Sequence, residues 1–193
     1  MQEENLEIER KFLVENVTEE LLRNSFATSL IYQTYLYSDD NREERIRKAT
    51  KSGFKKLDSS GTLVYMTDKE YDENSEIGSL VEETTYTFTE KIGHGKKRIE
   101  NEKEISINEY LELLKKKDSN TLYKTRYSFM VENTEEVSEV IIDTYTITDF
   151  IVAEIEYKSD KTDHIPQFLQ DIIVKEVTGK KEYSNKKLAY QKD

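Results

Sequence analysis

The sequence of 193 residues contains no cysteine and no long apolar run. Without cysteine the chain forms no disulfide, no thiolate metal site and no cysteine nucleophile, which fits a reducing compartment. No segment approaches the roughly 18 apolar residues that span a bilayer, and the acidic first residues, MQEEN, are unlike a signal peptide. We therefore expect a cytoplasmic protein that has no membrane partner.

Apolar residues are also scarce. Hydrophobic residues make up 35% of the chain and charged residues 36%, whereas soluble domains are typically about 45–50% apolar even when glycine is counted. The 13 tyrosines and 7 phenylalanines nevertheless exclude the aromatic-poor composition of a disordered chain. We expect one folded domain over residues 1–193.

The charge balance is acidic. Lysine and arginine number 29 against 40 aspartates and glutamates, which gives a net charge of −11. Such a surface disfavours non-specific binding to nucleic acid or to anionic membranes, although it leaves room for a local basic site.

Short segments rich in β-branched and aromatic residues recur along the chain and predict strands. Polar or glycine-containing joints separate them, and most joints after residue 91 are too short for crossover helices, which favours antiparallel pairing. The predicted strands are residues 7–14, 31–38, 45–49, 85–92, 98–107, 122–131, 139–147 and 150–158. The chain is therefore predicted to be β-dominated.

Three segments have helical periodicity instead: residues 18–26, 106–117 and 164–175. The second starts with a capping box of Ser106 and Glu109, and each carries one apolar stripe, so the helices are expected to pack on the outside of the sheet. Residues after Lys186 are predicted to form a short helix that frays into solvent. Residues 50–84 are interpreted as an insertion between two strands, with a possible extra hairpin at 61–67.

Charge lies on one face of the predicted strands with unusual regularity, because residues i, i+2 and i+4 of a strand share a face. The aligned residues are Glu7, Glu9 and Lys11; Arg45 and Arg47; Arg98, Glu100, Glu102 and Glu104; Lys124 and Arg126; and Glu154 and Glu156. One such strand is typical of any half-solvated antiparallel sheet. Five together favour a closed or strongly curved sheet with a polar interior, and a barrel of about eight strands can enclose one small ligand.

The charges themselves indicate the ligand. A multiply charged anion could be surrounded by the candidate cations Lys11, Arg45, Arg47, Lys91, Arg98, Lys124 and Arg126. The candidate acids Glu7, Glu9, Glu102, Glu154 and Glu156 would bind such an anion through hard divalent cations. Since the chain has no cysteine and only two histidines, and His94 in its glycine-flanked turn is expected to be a solvated loop residue, the predicted metal is Mg²⁺ or Mn²⁺.

At these residues the sequence resembles the CYTH superfamily, the triphosphate tunnel metalloenzymes, and in particular its bacterial inorganic triphosphatases. The E-x-E-x-K signature appears as Glu7, Glu9 and Lys11 in EIERKFLV. The elements that follow in family order are ERIRK, TEKIGHGKKRIENEKEIS, KTRY, IDTY with Asp143, AEIEY, and EVTGKKEYSNKKLA. They cover nearly the whole chain except residues 50–84.

The resemblance implies a closed eight-stranded antiparallel barrel, of class α+β, whose tunnel binds a triphosphate with one or two divalent metals. It implies metal binding by Glu7, Glu9, Glu154 and Glu156, with Glu102 and Asp143 as further tunnel acids. It implies phosphate binding by Lys11, Arg45, Arg47, Lys91 and Arg126, with Lys181 in the place of a late lysine; Arg98 and Lys124 join this set as tunnel cations. Lys11, Glu9 and Arg126 are assigned the catalytic roles.

Two departures from the family pattern concern the insertion and the C-terminal wall. The insertion could reshape the tunnel mouth or project into solvent. Bacterial relatives often carry tryptophan before the V-T element, whereas this chain has no tryptophan, and Gly179-Lys180 follows Thr178.

The predicted function is metal-dependent hydrolysis of a triphosphate, most simply inorganic tripolyphosphate. The alternatives are a class IV-type adenylate cyclase, a thiamine or nucleoside triphosphatase, a non-catalytic module that binds polyphosphate or a nucleotide, and a structural barrel with a solvated interior. The predicted partner is a small-molecule triphosphate, and the chain is expected to be a monomer or a homodimer.

Overall fold

The computed structural model describes residues 6–57, 63–66, 79–93, 96–131 and 135–191. His94 lies outside the described residues. The strands are β1 (Leu6–Val14), β2 (Ala27–Ser38), β3 (Arg42–Leu57), β4 (Leu63–Met66), β5 (Ser79–Ile92), β6 (Lys97–Glu104), β7 (Leu122–Phe129), β8 (Val137–Tyr145), β9 (Ile151–Tyr157) and β10 (Ile173–Glu176). The helices are α1 (Glu19–Arg23), α2 (Ile107–Leu114), α3 (Gln167–Gln170) and α4 (Asn185–Ala189), and a 3-10 turn covers Lys181–Tyr183.

Eight of the strands close into an antiparallel barrel, which confirms the predicted fold. Their order is β1-β6-β5-β3-β2-β7-β8-β9, and β9 pairs back onto β1. The two remaining strands extend the barrel wall: β4 pairs with β3, and β10 pairs with β1 beyond the point where β6 leaves it.

The main hydrophobic core lies outside the barrel, as the strand alternation predicted. In β1, Ile8, Phe12 and Val14 face outward and are buried. They join outward-facing side chains of β7, β8 and β9, and Leu169 of α3 and Leu21 of α1 pack against the same cluster. Fully burying one such side chain stabilises the fold by roughly 1.5–3 kcal/mol, so the barrel interior can remain polar.

A second outer cluster lies beneath α2. It contains Ile46, Ile105 and Tyr110, with Phe88 packed against it. The predicted capping box begins this helix: the Ser106 hydroxyl accepts from the Glu109 backbone N–H, and the Glu109 carboxylate accepts from the Ser106 N–H. The cap therefore fixes where the chain turns out of β6 and over the barrel wall.

The predicted helix over residues 164–175 is wrong over most of its length. Only α3, a single turn, is helical, and Ile173–Glu176 forms β10 instead. The edge of β1 at residues 12–14 needs backbone partners, and the β-branched pair Ile173 and Val174 suits a strand. Long-range pairing therefore overrides the local helical periodicity.

The prediction that the C-terminal helix frays into solvent is also wrong. In α4, Leu188 and Ala189 are 2% and 1% exposed. They pack against Tyr35 and Leu122, which project from the inner faces of β2 and β7. The helix thus adds an apolar cluster to the inner wall of an otherwise polar barrel.

Both ends of the segment interpreted as an insertion continue barrel strands, since residues 50–55 belong to β3 and residues 79–84 to β5. Pairing of β3 with β5 runs from Arg42 and Ile92 to Lys55 and Ser79. β4 falls within the predicted extra hairpin and pairs with β3. Across the described part of the chain, no helix has both the length and the apolar character needed to cross a membrane.

Candidate active site

The barrel encloses a cavity of about 1010 Å³. Its walls are built from the inward faces of the strands and from the turn that follows β10. The predicted site residues that line it are Glu7, Glu9, Lys11, Arg45, Arg47, Lys91, Arg98, Glu102, Arg126, Glu154, Glu156 and Lys181. The structure thus brings together charges that are separated by up to 174 positions in the sequence, from Glu7 to Lys181.

The site begins with Lys11 of β1, which lies directly opposite Glu154 of β9 in the antiparallel register. Its Nζ is 2.6 Å from Glu154 Oε1, and both side chains are 12% exposed. Burial by itself lowers the pKa of Lys11, but Glu154 and Glu9 outweigh it and leave the pKa raised. Lys11 is therefore a fixed cation at neutral pH.

Arg126 of β7 lies beside this pair. Its Nε donates to Asp143 Oδ1 and its Nη2 to Asp143 Oδ2, each at 2.9 Å, and Nη2 also contacts Glu154 Oε2 at 3.2 Å. A guanidinium held on two sides in this way is oriented before any ligand arrives.

Lys124 and Asp143 are not among the residues that line the cavity. Both side chains are fully buried, and Lys124 Nζ is 2.5 Å from Asp143 Oδ2. Burial, followed by the neighbouring Arg126, lowers the pKa of Lys124 to about 7. In this structure Asp143 accepts hydrogen bonds from both Lys124 and Arg126. The pair therefore lies behind Arg126 and does not reach the cavity wall.

On the opposite wall, a ladder of alternating charges joins β1, β5 and β6. Lys91 Nζ contacts Glu7 at 2.7 Å and Glu100 at 2.5 Å, and Arg98 contacts both Glu7 and Glu9. Arg45 Nη2 reaches the same Glu100 at 3.3 Å. These carboxylates hold the cations in place, and Glu7 and Glu9 are committed to ion pairs in this structure.

Arg47 differs from the other cavity cations. Its one side-chain hydrogen bond among the described residues runs from Nη2 to Gln33 Oε1 at 3.4 Å, and no carboxylate there lies within ion-pair distance. Burial and the neighbouring Arg45 and Arg126 lower its pKa to about 10. The buried Nε atoms of Arg45, Arg47 and Arg98 also have no partner among the described residues. Among the described residues, Arg47 is therefore a cavity cation whose charge no neighbouring carboxylate pairs with directly.

The complementary feature is a row of carboxylates across β1, β9 and β8. Glu9 lies opposite Glu156, and Glu156 lies opposite Glu139. Neither Glu156 nor Glu139 has a cation within 4 Å among the described residues. Burial, with the neighbouring Glu139 and Glu7, raises the pKa of Glu156 to about 7.

Glu139 is the site residue that the sequence interpretation missed. It lines the cavity, four positions before Asp143 and on the same face of β8. That period-two relation to Asp143 is the signal that could have identified it.

The wall nearest Lys11 is completed by the chain after β10. The Val177 N–H donates to the Lys11 carbonyl at 2.8 Å, and the Lys11 N–H donates to Thr178 Oγ1 at 3.0 Å. Gly179 adopts a left-handed φ of 70°, which glycine accepts without strain. Lys181 lies beyond it at the cavity edge, 88% exposed and 3.5 Å from Asp40.

No protein-family model matches the chain, and no curated protein matches it. Among solved structures, the chain is similar to a crystal structure of the hypothetical protein NE1496, with 22% identity, a TM-score of 0.48, and coverage of 97% of this chain and 99% of that one. It is similarly related to a crystal structure of the inorganic triphosphatase NE1496, with 21% identity, a TM-score of 0.48 and coverage of 96% and 95%.

Proposed function

We propose that this protein hydrolyses an inorganic triphosphate, most simply tripolyphosphate, in a reaction that depends on a divalent cation. The observation that carries the proposal is the unequal pairing of charge in the cavity. Among the described residues, Arg47 has no carboxylate within ion-pair distance, and Glu156 and Glu139 have no cation within that distance. A polyanion on the first group and a metal ion on the second would satisfy both.

The row of carboxylates formed by Glu9, Glu156 and Glu139 suits Mg²⁺ or Mn²⁺, because the ligand atoms that it offers are all carboxylate oxygens. Among the described residues, no three acidic or histidine side chains already converge closely enough to hold a metal alone. Mg²⁺ is usually bound by one or two carboxylates that act together with substrate phosphates. Glu156 and Glu139 are the residues that would hold the ion, and Glu9, which lies opposite Glu156, would join them by giving up its ion pair with Arg98. When bound, it would neutralise phosphate charge and lower the pKa of a nearby water.

The protein's own contribution is positioning and electrostatic stabilisation. Lys11, Arg47 and Arg126 would hold non-bridging phosphate oxygens, with the guanidinium of Arg126 already oriented by Asp143 and Glu154. Because the Lys11 and Arg126 side chains are only 12% and 15% exposed, their interaction with the negative charge of the transition state is stronger than it would be in water.

The lining of the cavity favours an inorganic substrate over a nucleotide. Tyr35 is the one aromatic residue among the described lining residues, and its ring packs in the apolar cluster with Leu188. The described lining holds no second ring that could sandwich a base, so it offers little to an adenylate cyclase or a nucleoside triphosphatase.

The test is a phosphate-release assay with tripolyphosphate, ATP, thiamine triphosphate and pyrophosphate, each with Mg²⁺, Mn²⁺ or a chelator. We expect tripolyphosphate to be the best substrate, and the chelator to abolish turnover. Comparable activity on pyrophosphate would contradict a site shaped for three phosphates. Formation of cyclic AMP from ATP would favour the cyclase instead.

Variants at Lys11 and Glu9 test the assigned residues. Lys11→Ala and Glu9→Gln should each reduce turnover of tripolyphosphate by about 100-fold or more, because each removes a charge that faces the substrate. Lys115→Ala is the matched control, since Lys115 is 69% exposed on α2 and should leave turnover unchanged. Near-normal activity in a folded Lys11→Ala or Glu9→Gln protein would refute the assignment.

A further inference from the structure

One face on the outside of the barrel is nearly free of charged side chains. Two rows of residues cross it, and within each row every residue lies opposite the next in the antiparallel register. The first row is Thr84, Thr50, Leu30, Thr125 and Thr144, and the second is Tyr86, Lys48, Tyr32 and Tyr123. Lys48 is the single charged residue of these rows, in a chain of which 36% is charged. We call these nine residues the open face.

The open face is exposed at its centre although it is partly apolar. Leu30 is 50% exposed and Tyr123 is 45% exposed. The rings of Tyr32 and Tyr123 meet edge to face with their centroids 5.0 Å apart, and Lys48 Nζ lies 5.4 Å from the centroid of the Tyr32 ring. Tyrosine without surrounding charge is typical of the centre of a protein–protein interface.

Helix α2 lies beside the open face and has an exposed apolar stripe of its own. It contacts β2, β3 and β5, and the Tyr110 ring packs 5.1 Å from that of Tyr86. Burial, followed by the neighbouring Tyr86 and Tyr123, raises the pKa of Tyr110. While Tyr110 faces the barrel, Ile107 and Leu111 are 51% and 49% exposed. Residues four apart share one side of a helix, so these two form one apolar surface next to the open face.

The charges around α2 differ in sign between its two ends. Glu104 and Glu109 lie before the helix and in its first turn, Lys116 and Lys117 follow its last turn, and all four are exposed. A partner with charge of one sign would complement one end and repel the other. A second, antiparallel copy of α2 complements both ends, because a two-fold axis brings the start of each helix to the end of the other.

We propose that this surface is a homodimer interface, in which a two-fold axis places α2 of each copy against α2 and the open face of the other. Ile107 and Leu111 then pack against apolar side chains of the second copy. A standard interface takes about 20–30 residues a side, which the eight residues of α2 do not supply alone, so the open face is needed as well. The inference rests on the outer surface of the barrel and is independent of the proposed function.

The experiment compares Leu111→Glu with Val174→Glu by sedimentation velocity at about 1–200 μM, which brackets a micromolar Kd. The wild-type mass should rise with concentration from 22.8 kDa toward twice that value. Leu111→Glu should raise Kd about 10-fold or more, because it puts a charge at the centre of an apolar contact, and glutamate keeps the helix intact. Val174 is the matched control, since it is 50% exposed on β10 and lies away from α2; its variant should dimerise like the wild type.

The antiparallel orientation is tested through the lysines after α2. Changing both Lys116 and Lys117 to glutamate should raise Kd several-fold at low salt, because like charges then meet across the two-fold axis. High salt should remove most of this effect by screening. An equal effect at low and high salt would contradict the pairing of helix starts with helix ends.

Leu30→Glu tests the open face separately and should also raise Kd about 10-fold. A wild type that keeps the mass of one chain at every concentration would overturn the proposal. So would a dimer that forms equally well in folded Leu111→Glu and Leu30→Glu proteins, because it would use another surface. If circular dichroism shows that Leu111→Glu does not fold, Leu30→Glu decides the point. Hydrolysis of tripolyphosphate is measured in a separate assay, so neither failure is mistaken for the other.

Discussion

At the scale of single residues, Asp143 connects the stability of the barrel to the orientation of Arg126. Its side chain is fully buried and accepts hydrogen bonds from both Lys124 and Arg126. Burial alone would raise the pKa of Asp143, but Arg126 and Lys124 lower it. The carboxylate is thus ionised, and two buried basic side chains, Lys124 and Arg126, depend on it.

Replacing this carboxylate by an amide should be costly. Asp143→Asn leaves Lys124 and Arg126 without their shared counter-charge, and breaking a buried pair typically costs about 3–5 kcal/mol. For a chain of this size, we expect Tm to fall by about 6–20 °C, measured by calorimetry. Asp171→Asn, at an exposed position, is the control. A Tm within 2 °C of the wild type, on the order of experimental scatter, would contradict this account of Asp143.

Glu156 gives the molecule a second measurable property, a stability that depends on pH. Its pKa of about 7 in the folded state lies above the ordinary value of 4.5, so the folded chain binds more protons than the unfolded chain between these two values. Stability should therefore fall as pH rises from about 4.5 to 7.

The variant Glu156→Gln tests this, since glutamine stays neutral at every pH. Without divalent metal, we expect its Tm to exceed that of the wild type by about 2–4 °C at pH 8, a gain of roughly 1 kcal/mol after screening by solvent. The gain should vanish near pH 4.5. Glu112→Gln on exposed α2 should show no such pH dependence, and an equal effect in both variants would rule out the crowding of acids as its cause.

At the scale of elements, the stability of α2 depends on its N-cap residue, Ser106. The Ser106 hydroxyl and the Glu109 carboxylate cap each other's backbone N–H groups, and this cap lies where the chain leaves β6 to cover Ile46. A helix of eight residues is too short to be stable by propensity alone. The cap and the packing of Tyr110 therefore determine whether it forms.

Ser106→Ala should lower stability by about 1 kcal/mol, the usual cost of losing an N-cap, and Tm by roughly 2–4 °C. Ser106→Asp should retain most of the stability because aspartate also caps well. Hydrolysis of tripolyphosphate at 25 °C should be the same in all three proteins, since α2 lies outside the barrel. A drop in kcat for folded Ser106→Ala would indicate that α2 affects the site.

The elements also show how far local sequence predicts this fold. β1 was predictable because Ile8 and Phe12 alternate with Glu9 and Lys11, so one face had to be apolar and the other charged. β10 was not, because Ile173 and Val174 fit a helix and a strand equally well. Only the exposed edge of β1, 160 positions earlier in the chain, decides between them.

At the scale of the whole molecule, the same reasoning explains which part of the site was predictable. The period-two pattern identified which charges face inward, but it contains no information about depth or partners. It therefore gave Lys124 the same weight as Arg126, although Lys124 is fully buried against Asp143 and does not line the cavity. It also overlooked Glu139, whose importance depends on lying opposite Glu156 across two strands.

The pairing of β1 has a consequence for how the protein folds. Its three strand partners, β6, β9 and β10, all begin at residue 97 or later. During synthesis, β1 therefore has no strand to pair with until half of the chain has been made. Pairing between strands so far apart in the sequence also slows folding. Because β1 carries Glu7, Glu9 and Lys11, the charged cavity is assembled in the same step that closes the barrel. A partly folded chain therefore lacks the candidate site altogether.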